Sequence, residues 1–295
     1  MRIDLCICTF RRPQVVETLA SVGQLRVPDG VSLRVIVVDN DDTNSARDRV
    51  TAAALSLAIP LTYLHAPGRN IAVARNACLD ATAAEWVAFL DDDELAEPGW
   101  LSALVARQAE TGADAVFGPS RALYAPGAPG WIAAGDFHSQ SAVARRGRVE
   151  TGHTCNALLR WRGAPWRAER FAPALGRSGG EDTEFFFRLG RMGARYAIAP
   201  DAVVREPVPP ARLSLGWLLR RRFRVGQSYA LGATTPAARA GLFATAAAKA
   251  VYCGLRAAAH PLRAERRAFW LIRATMHAGV CAGCLRMRQA VLYGG

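Results

Sequence analysis

Lysine is almost absent from this chain of 295 residues: of its 37 basic side chains, only Lys249 is a lysine. Heavy arginine use beside abundant alanine reads as a coding bias, so the arginine count by itself carries little function. Long apolar runs are missing too. No stretch reaches the roughly 18 uncharged apolar residues of a membrane-spanning helix. The best candidate, residues 241–259, is interrupted by Lys249 and Arg256. Asp4 breaks the apolar core that a signal peptide needs, so the chain is expected to be cytoplasmic. Acids are missing from one region only. Residues 207–295 hold 14 basic side chains against Glu265 alone, a net of +13, whereas residues 1–206 hold 23 against 24, a net of −1. A near-neutral body with a basic tail excludes a protein that coats nucleic acid with its whole surface, and no nucleic-acid partner is expected. The tail suits contact with something anionic.

What is there is globular: 51% of residues are hydrophobic and 21% charged. Seven cysteines are present. Cys6 and Cys8 lie in an apolar strand pattern and Cys78 in a helical one. Cys281 and Cys284 form a lone C-x-x-C without two further ligands at zinc spacing. All are read as reduced and structural.

The first 120 residues alternate in hydrophobic period. Strand patterns at 3–8, 33–39, 61–64, 86–90 and 115–117 alternate with helical patterns at 13–25, 45–57, 71–79 and 98–110. The run Leu33-Arg34-Val35-Ile36-Val37-Val38-Asp39 is typical of a strand buried on both faces. Such alternation means an α/β fold, a mostly parallel sheet with helices on both faces. Residues 124–180 loosen into Pro-, Gly- and Trp-rich sequence expected to face substrate. A helix is expected at 181–192 and a strand at 195–199. Residues 207–210, Pro-Val-Pro-Pro, read as a linker, and everything beyond reads as helix.

Open parallel sheets bind ligands outside the carboxyl ends of their strands. Those ends here carry Thr9-Phe10-Arg11-Arg12, Asp39-Asn40-Asp41-Asp42 and Asp91-Asp92-Asp93-Glu94. Adjacent acids beside a buried edge repel one another, and a divalent cation removes that cost. Period two in extended chain sends Asp91 and Asp93 to one side and Asp92 to the other. Hard oxygen ligands suit Mg2+ or Mn2+, completed by water and phosphate oxygens. A second constellation is Ser178-Gly179-Gly180-Glu181-Asp182-Thr183-Glu184, read as a capped helix N-terminus with acids in its first turn. Glu181 and Asp182 diverge by about 100° around a helix and cannot share one task. One could take a proton from an acceptor hydroxyl while the other orients the acceptor.

These motifs together resemble family 2 glycosyltransferases, most closely the bacterial exopolysaccharide type that includes succinoglycan glucosyltransferases. The resemblance rests on Cys8-Thr9-Phe10-Arg11-Arg12-Pro13, Val37-Val38-Asp39-Asn40, Gly68-Arg69-Asn70 with Ala74-Arg75-Asn76, Phe89-Leu90-Asp91-Asp92-Asp93-Glu94 and Gly180-Glu181-Asp182, and covers about residues 3–235. It implies a GT-A fold, a nucleotide-diphospho-sugar donor (a UDP-sugar above all), a divalent metal and inversion at the anomeric centre. Carried over by residue, it puts Thr9, Phe10 and Arg11 in the wall around the nucleotide, Asp39 on the base and Arg69 near base or phosphate. Asp91 is implied toward ribose and sugar, Asp93 on the Mn2+ or Mg2+, Asp182 as general base and Glu181 beside it in the acceptor site. His153 is either an added metal ligand or a hydrogen-bonded structural residue. Trp131, Trp161 and Trp166 either stack on sugars or pack loops.

The chain departs from the family pattern at Ala72, where many relatives have glycine, and it lacks the Q-x-x-R-W motif of processive synthases. Transfer of a single sugar is therefore expected. The run Arg220-Arg221-Arg222-Phe223-Arg224-Val225-Gly226, with Arg222 as its representative, either helps hold diphosphate or forms a solvated or membrane-facing helix side. Three other classes fit less well. A phosphatase of the haloacid dehalogenase kind needs an Asp nucleophile after the first strand, where none occurs. A sugar-nucleotide-forming nucleotidyltransferase wants a Gly-rich phosphate loop after strand one, and Thr9-Phe10-Arg11-Arg12 has no glycine. A non-enzymatic membrane or nucleic-acid binder leaves the ordered acids without a purpose.

The chain thus divides into an expected catalytic domain, 1–235, and a basic amphipathic helical tail, 236–295. In the tail Phe243, Ala247, Ala250, Val251, Gly254 and Ala258 form an expected apolar stripe, with Lys249, Arg256 and Arg263 on another face. That pattern fits either a helix lying in an anionic membrane interface, on the inner face of the cell membrane, or helices packed on the catalytic domain or on a second subunit. The expected acceptor is a saccharide or lipid-linked saccharide.

Overall fold

The computed structural model describes residues 1–145 and 147–289. The first unit alternates as the sequence pattern predicts: β1 (Arg2–Thr9), α1 (Val15–Val22), β2 (Ser32–Asp39), α2 (Arg47–Ala54), β3 (Leu61–His65), α3 (Ile71–Ala81) and β4 (Trp86–Asp91). Next come β5 (Leu95–Ala96), α4 (Trp100–Thr111), β6 (Ala115–Phe117), β7 (Ser120–Leu123), α5 (Gly130–Gly135), β8 (Ala144–Arg145), β9 (Arg148–Val149) and β10 (Asn156–Arg160). The chain continues with α6 (Glu181–Arg191), β11 (Tyr196–Ile198), β12 (Val204–Pro207), α7 (Leu215–Tyr229), α8 (Pro236–Ala258) and α9 (Ala264–Cys284).

The main sheet has seven strands in the order β11-β6-β10-β4-β1-β2-β3. Strands β3, β2, β1 and β4 run parallel, with Thr9 opposite Asp39 and Cys8 opposite Asp91. Period two then divides the core. Ile3, Leu5, Ile7, Val35 and Val37 face one layer, with Leu19 of α1 and Trp100 and Leu104 of α4. Cys6, Ile36, Val38, Val87 and Phe89 face the other, with Cys78 of α3 and Phe185 and Phe186 of α6. Each such side chain contributes about 1.5–3 kcal/mol when fully buried. Asp4 sits in this core because Arg34 donates two hydrogen bonds to it, at 2.8 and 2.7 Å, and the N–H groups of Ala83 and Ala84 donate two more.

Three expectations change here. The loose region holds β10, which enters the sheet antiparallel between β4 and β6. Asn156 locks its start: its Nδ2 donates to the carbonyls of Pro119 and Ala202, and its Oδ1 accepts from Trp100 Nε1 at 2.8 Å. The expected linker at 207–210 is instead the end of β12, paired with β7, followed by a single turn at Pro210–Arg212. The start of α6 carries no side-chain cap; Gly180 is its N-cap, and Ser178 Oγ donates to the Leu175 carbonyl.

The basic tail begins at α8, where Thr235 accepts from Ala238 N–H and Pro236 opens the helix. It does not stand apart. Helix α9 lies against α7 so closely that a Cβ on Gly279 would sit 1.9 Å from the Phe223 carbonyl oxygen, and one on Gly226 2.0 Å from that of Met276. Helix α8 packs on α9 with Ala246, Cys253 and Ala257 buried deepest, and Cys281 Sγ of α9 donates to the Phe243 carbonyl. Of the expected stripe, Phe243, Ala247, Ala250 and Gly254 are half-buried, and Val251 and Ala258 point to solvent. Residues 290–295 of the expected tail lie outside the described residues. Among the described residues, no helix is long and apolar enough to cross a membrane.

Candidate active site

The carboxyl ends of β1 and β4, the N-termini of α3 and α6 and one face of α7 enclose a cavity of about 290 Å³. Of the site residues read from sequence, Thr9, Phe10, Arg69, Asp91, Asp93, Glu181 and Asp182 line it; Arg11, Asp39 and Arg222 do not.

Each of the three exceptions has a local cause. Arg11 adopts a left-handed backbone, φ 55°, which turns it outward onto Asp41 at 2.9 Å and delivers Arg12 to the cavity instead. Asp39 is wholly buried, and its carboxylate accepts hydrogen bonds from the N–H groups of Asp41 and Ala46 and from Tyr63 Oη. It therefore anchors the β2 loop, with three of its acceptor positions already taken. Arg222 donates to the Phe137 carbonyl on the far side of α7. The cavity face of that helix is Arg221, Arg224, Val225 and Ser228, spaced i, i+3, i+4 and i+7. This spacing was readable in the sequence once a helix was assigned there. The tryptophans pack: Trp161 and Trp166 are buried in the core, and Trp131 lies against Phe137.

The strand ends at Asp91, so the acids after it divide by a turn at Asp92 and Asp93 and not by strand period. Asp91 and Asp93 are partly exposed to the cavity, and Asp92 and Glu94 are buried. Arg12 sits 2.8 Å from Asp92 and 2.7 Å from Asp93. Arg212 lies 3.6 Å from Asp93 and pairs with Glu206, a further cavity acid that sequence reasoning missed. Burial pushes the Asp92 carboxyl up to about 6 against the pull of Arg12. Its folded-state value thus exceeds the ordinary 3.8, so the folded chain loses stability as pH rises between these values. Asp92→Asn lacks this titration. Its melting temperature is expected to gain on that of the unmodified chain as pH rises from about 4 to about 6, by several degrees in all. A difference that stays constant over that window would contradict the assignment.

Arg75, buried on α3, joins the two acidic clusters. It is ion-paired with Glu181 at the start of α6 and lies 3.4 Å from Asp91 Oδ1. Nothing in local periodicity marks it; only the Ala74-Arg75-Asn76 motif drew attention to it. Asn70 caps α3, accepting from the N–H groups of Ala72 and Val73 while donating to the Pro173 carbonyl. Gly179 and Gly180 take φ of 84° and 91°, and a Cβ on Gly180 would lie 2.3 Å from Ser228 Oγ, so α6 can start this close to α7 only on glycine.

Asp182 opens into the cavity. Its Oδ1 accepts from Thr183 N–H at 2.6 Å, and its Oδ2 lies 3.5 Å from His153 Nδ1. Burial opposes ionisation there, but His153 and then Arg75 outweigh it and hold the carboxyl well below the usual range. Glu181 moves the other way, raised by burial against the pull of Arg75. The two neighbouring acids are therefore shifted in opposite directions, Asp182 toward its ionised form and Glu181 toward its protonated one, even though Glu181 is ion-paired with Arg75.

The sequence profile of Glycosyl transferase family 2 matches residues 4–161. The chain belongs to that family. It is 44% identical over 297 residues to the succinoglycan biosynthesis protein ExoM of Rhizobium meliloti (strain 1021), covering 100% of this chain and 96% of that one. In three dimensions this family 2 glycosyltransferase is similar to the mannosyltransferase PcManGT from Pyrobaculum calidifontis, solved with GDP-Man and Mn2+. That similarity has a TM-score of 0.66 and 22% identity over 95% of this chain and 86% of that one. It is also similar to S. aureus TarS 1-349 in complex with UDP-GlcNAc, with a TM-score of 0.52 and 16% identity over 97% and 93% of the two chains. The GT-A fold expected from the motifs is thus the fold of this glycosyltransferase. The nucleotidyltransferase and the purely binding readings do not stand beside it.

The residues present fit a divalent ion. Asp91 and Asp93 bring hard carboxylate oxygens to one side of the loop, and a one- or two-carboxylate site completed by donor phosphates is usual for Mg2+ or Mn2+. Among the described residues no three His, Cys, Asp or Glu side chains gather as a complete metal cage. Phosphate and water oxygens would therefore supply the remaining positions.

Proposed function

We propose that this glycosyltransferase moves one sugar from a nucleotide-diphospho-sugar, a UDP-sugar in this reading, to a hydroxyl of a saccharide or lipid-linked saccharide acceptor. The reaction serves surface-polysaccharide synthesis, inverts the anomeric centre, and takes place at the inner face of the cell membrane. One observation carries the reading: the Asp91–Asp93 pair and Asp182 face a single cavity, with Arg75 bridging Asp91 to Glu181, the residue before Asp182. The relatives add support, since ExoM is named for succinoglycan biosynthesis and PcManGT and TarS hold nucleotide-sugars.

In this reading Thr9, Phe10, Asn40 and Arg69 receive the nucleoside. Asp91 and Asp93 hold Mn2+ or Mg2+, which, when bound, offsets the charge of the donor diphosphate. Arg212, Arg221 and Arg224 ring the cavity mouth and stabilise the departing diphosphate electrostatically. Asp182 Oδ2 accepts the proton of the acceptor hydroxyl. The acceptor oxygen then bonds the anomeric carbon from the side opposite the diphosphate as the bond from that carbon to the diphosphate oxygen breaks, and configuration inverts. Glu181, neutralised by Arg75, stays out of proton transfer and fixes the distance between β4 and α6. The test is a panel of nucleotide-sugars with Mn2+ or Mg2+, scored by thermal shift and nucleotide release. At least one donor should stabilise the chain only when metal is present; a silent panel would refute the reading.

A further inference from the structure

Helix α8 is apolar on two opposite sides. One side, Ala246, Cys253 and Ala257, is buried against α9. The other side carries Ala244, Ala248, Val251 and Leu255, spaced i, i+4, i+7 and i+11, all exposed. An apolar helix face of this kind ordinarily packs against something. Here the outward side continues past the helix end: Val251 is 64% exposed, Leu255 67%, Leu262 in the connecting turn 96% and Phe269 on α9 43%.

The rim of this surface is basic. Lys249, Arg256, Arg263, Arg266 and Arg267 are all exposed, and the only acid from residue 207 onward is Glu265. Trp270 sits at the boundary, its ring 5.8 Å from Tyr252 and 5.2 Å from Phe269, with the Arg256 guanidinium 5.0 Å above it. Apolar side chains at the centre, an amphipathic aromatic at the edge and cations around them make an interfacial helix pair. A second copy of the chain is a poor occupant, because its matching face would oppose five like charges with one acid.

We propose that the tip of the α8–α9 hairpin docks in an anionic lipid surface, with Val251, Leu255, Leu262 and Phe269 seated among the acyl chains and the arginines on the headgroups. This deepens the membrane part of the proposed function and names the surface that carries it, which shares only Val251 with the stripe expected from sequence. The surface stands apart from the catalytic cavity: α9 lies between α8 and α7, and α7 presents its opposite face to the cavity. Docking and transfer can therefore fail independently.

The experiment is flotation of the full chain with phosphatidylcholine vesicles, with and without phosphatidylglycerol, at low and high salt. The expected result is co-flotation with anionic vesicles, little with neutral ones, and release by salt. The variant Val251→Ser/Leu255→Ser/Leu262→Ser alters exposed residues only. It should bind anionic vesicles at least about tenfold more weakly with unchanged melting temperature and unchanged donor turnover without vesicles. Equal flotation of this variant, or equal binding to neutral vesicles, would overturn the proposal. So would a dimer in light scattering that the variant converts to monomer with no vesicle binding by either form, since a second copy would then cover the face. Vesicle binding without any nucleotide-sugar turnover would instead count against the transfer reaction alone.

Discussion

Asp182→Asn is expected to lower turnover by about 10²–10⁴-fold, the usual contribution of a positioned general base, while leaving donor KM nearly unchanged. Asparagine keeps an oxygen for the Thr183 N–H, which Asp182 accepts at 2.6 Å, so the start of α6 should survive. What disappears is the oxygen that faces His153 and the cavity. His153 and Arg75 hold the carboxyl below its usual range, so the base form persists throughout neutral and mildly acidic pH. The acid limb of the rate profile should therefore not arise from Asp182 at ordinary carboxylate pH. Stability follows the same linkage: with the folded-state value below the ordinary 3.8, the unfolded chain takes up the proton first as pH falls. This stabilisation is complete above the ordinary value and lost as pH falls through the folded one. The melting-temperature gap between the chain and Asp182→Asn should accordingly close in acid. Steady-state kinetics of both forms decide the matter, and a loss of less than about tenfold would remove Asp182 from the role of base.

Asp93→Ala should abolish the metal-dependent thermal shift with nucleoside diphosphate and lower kcat/KM by at least about a hundredfold. Losing even an outer partner of a metal ligand costs about 10–100-fold in affinity, and Asp93 is an inner ligand in the proposed mechanism. The fold should tolerate the change. Arg12 keeps Asp92 at 2.8 Å and Arg212 keeps Glu206, so neither guanidinium is left alone. Calorimetric titration of Mn2+ with nucleoside diphosphate checks the claim. Unaltered metal affinity together with unaltered turnover would defeat the assignment, and chelation of the unmodified enzyme should reproduce the kinetic loss of the variant.

Much of the fold was legible because it is written locally. The run ending at Asp39 and the strand ending at Asp91 show their burial in β-branched and aromatic side chains, and each stops at polar residues where the sheet ends. Asp91, Asp93 and Asp182 could be found because an acid at the end of an apolar strand or in the first turn of a helix is costly without a task. β10 was missed because Asn-Ala-Leu-Leu-Arg lies in Pro-, Gly- and Trp-rich sequence outside the strand–helix alternation, and what holds it lies far away in the chain, at Trp100, Pro119 and Ala202.

The arginines show where local reading stops. Arg11 and Arg12 are chemically equivalent in sequence, and one left-handed φ at Arg11 decides which of them enters the cavity. Arg221, Arg222 and Arg224 are separated only by the rotation of α7 against α9, set by the close contact of Gly226 and Gly279. Asp39, which the resemblance puts on the base, is wholly buried, and Tyr63 from the neighbouring strand donates to one of its oxygens. By itself, then, the sequence determined the alternation, the acidic rim and the basic tail, since periodicity and charge are local properties. The tertiary structure alone decided which side chain reaches the cavity, which acid is already paired and which face of α8 is left bare, because each depends on contacts between segments far apart in the chain.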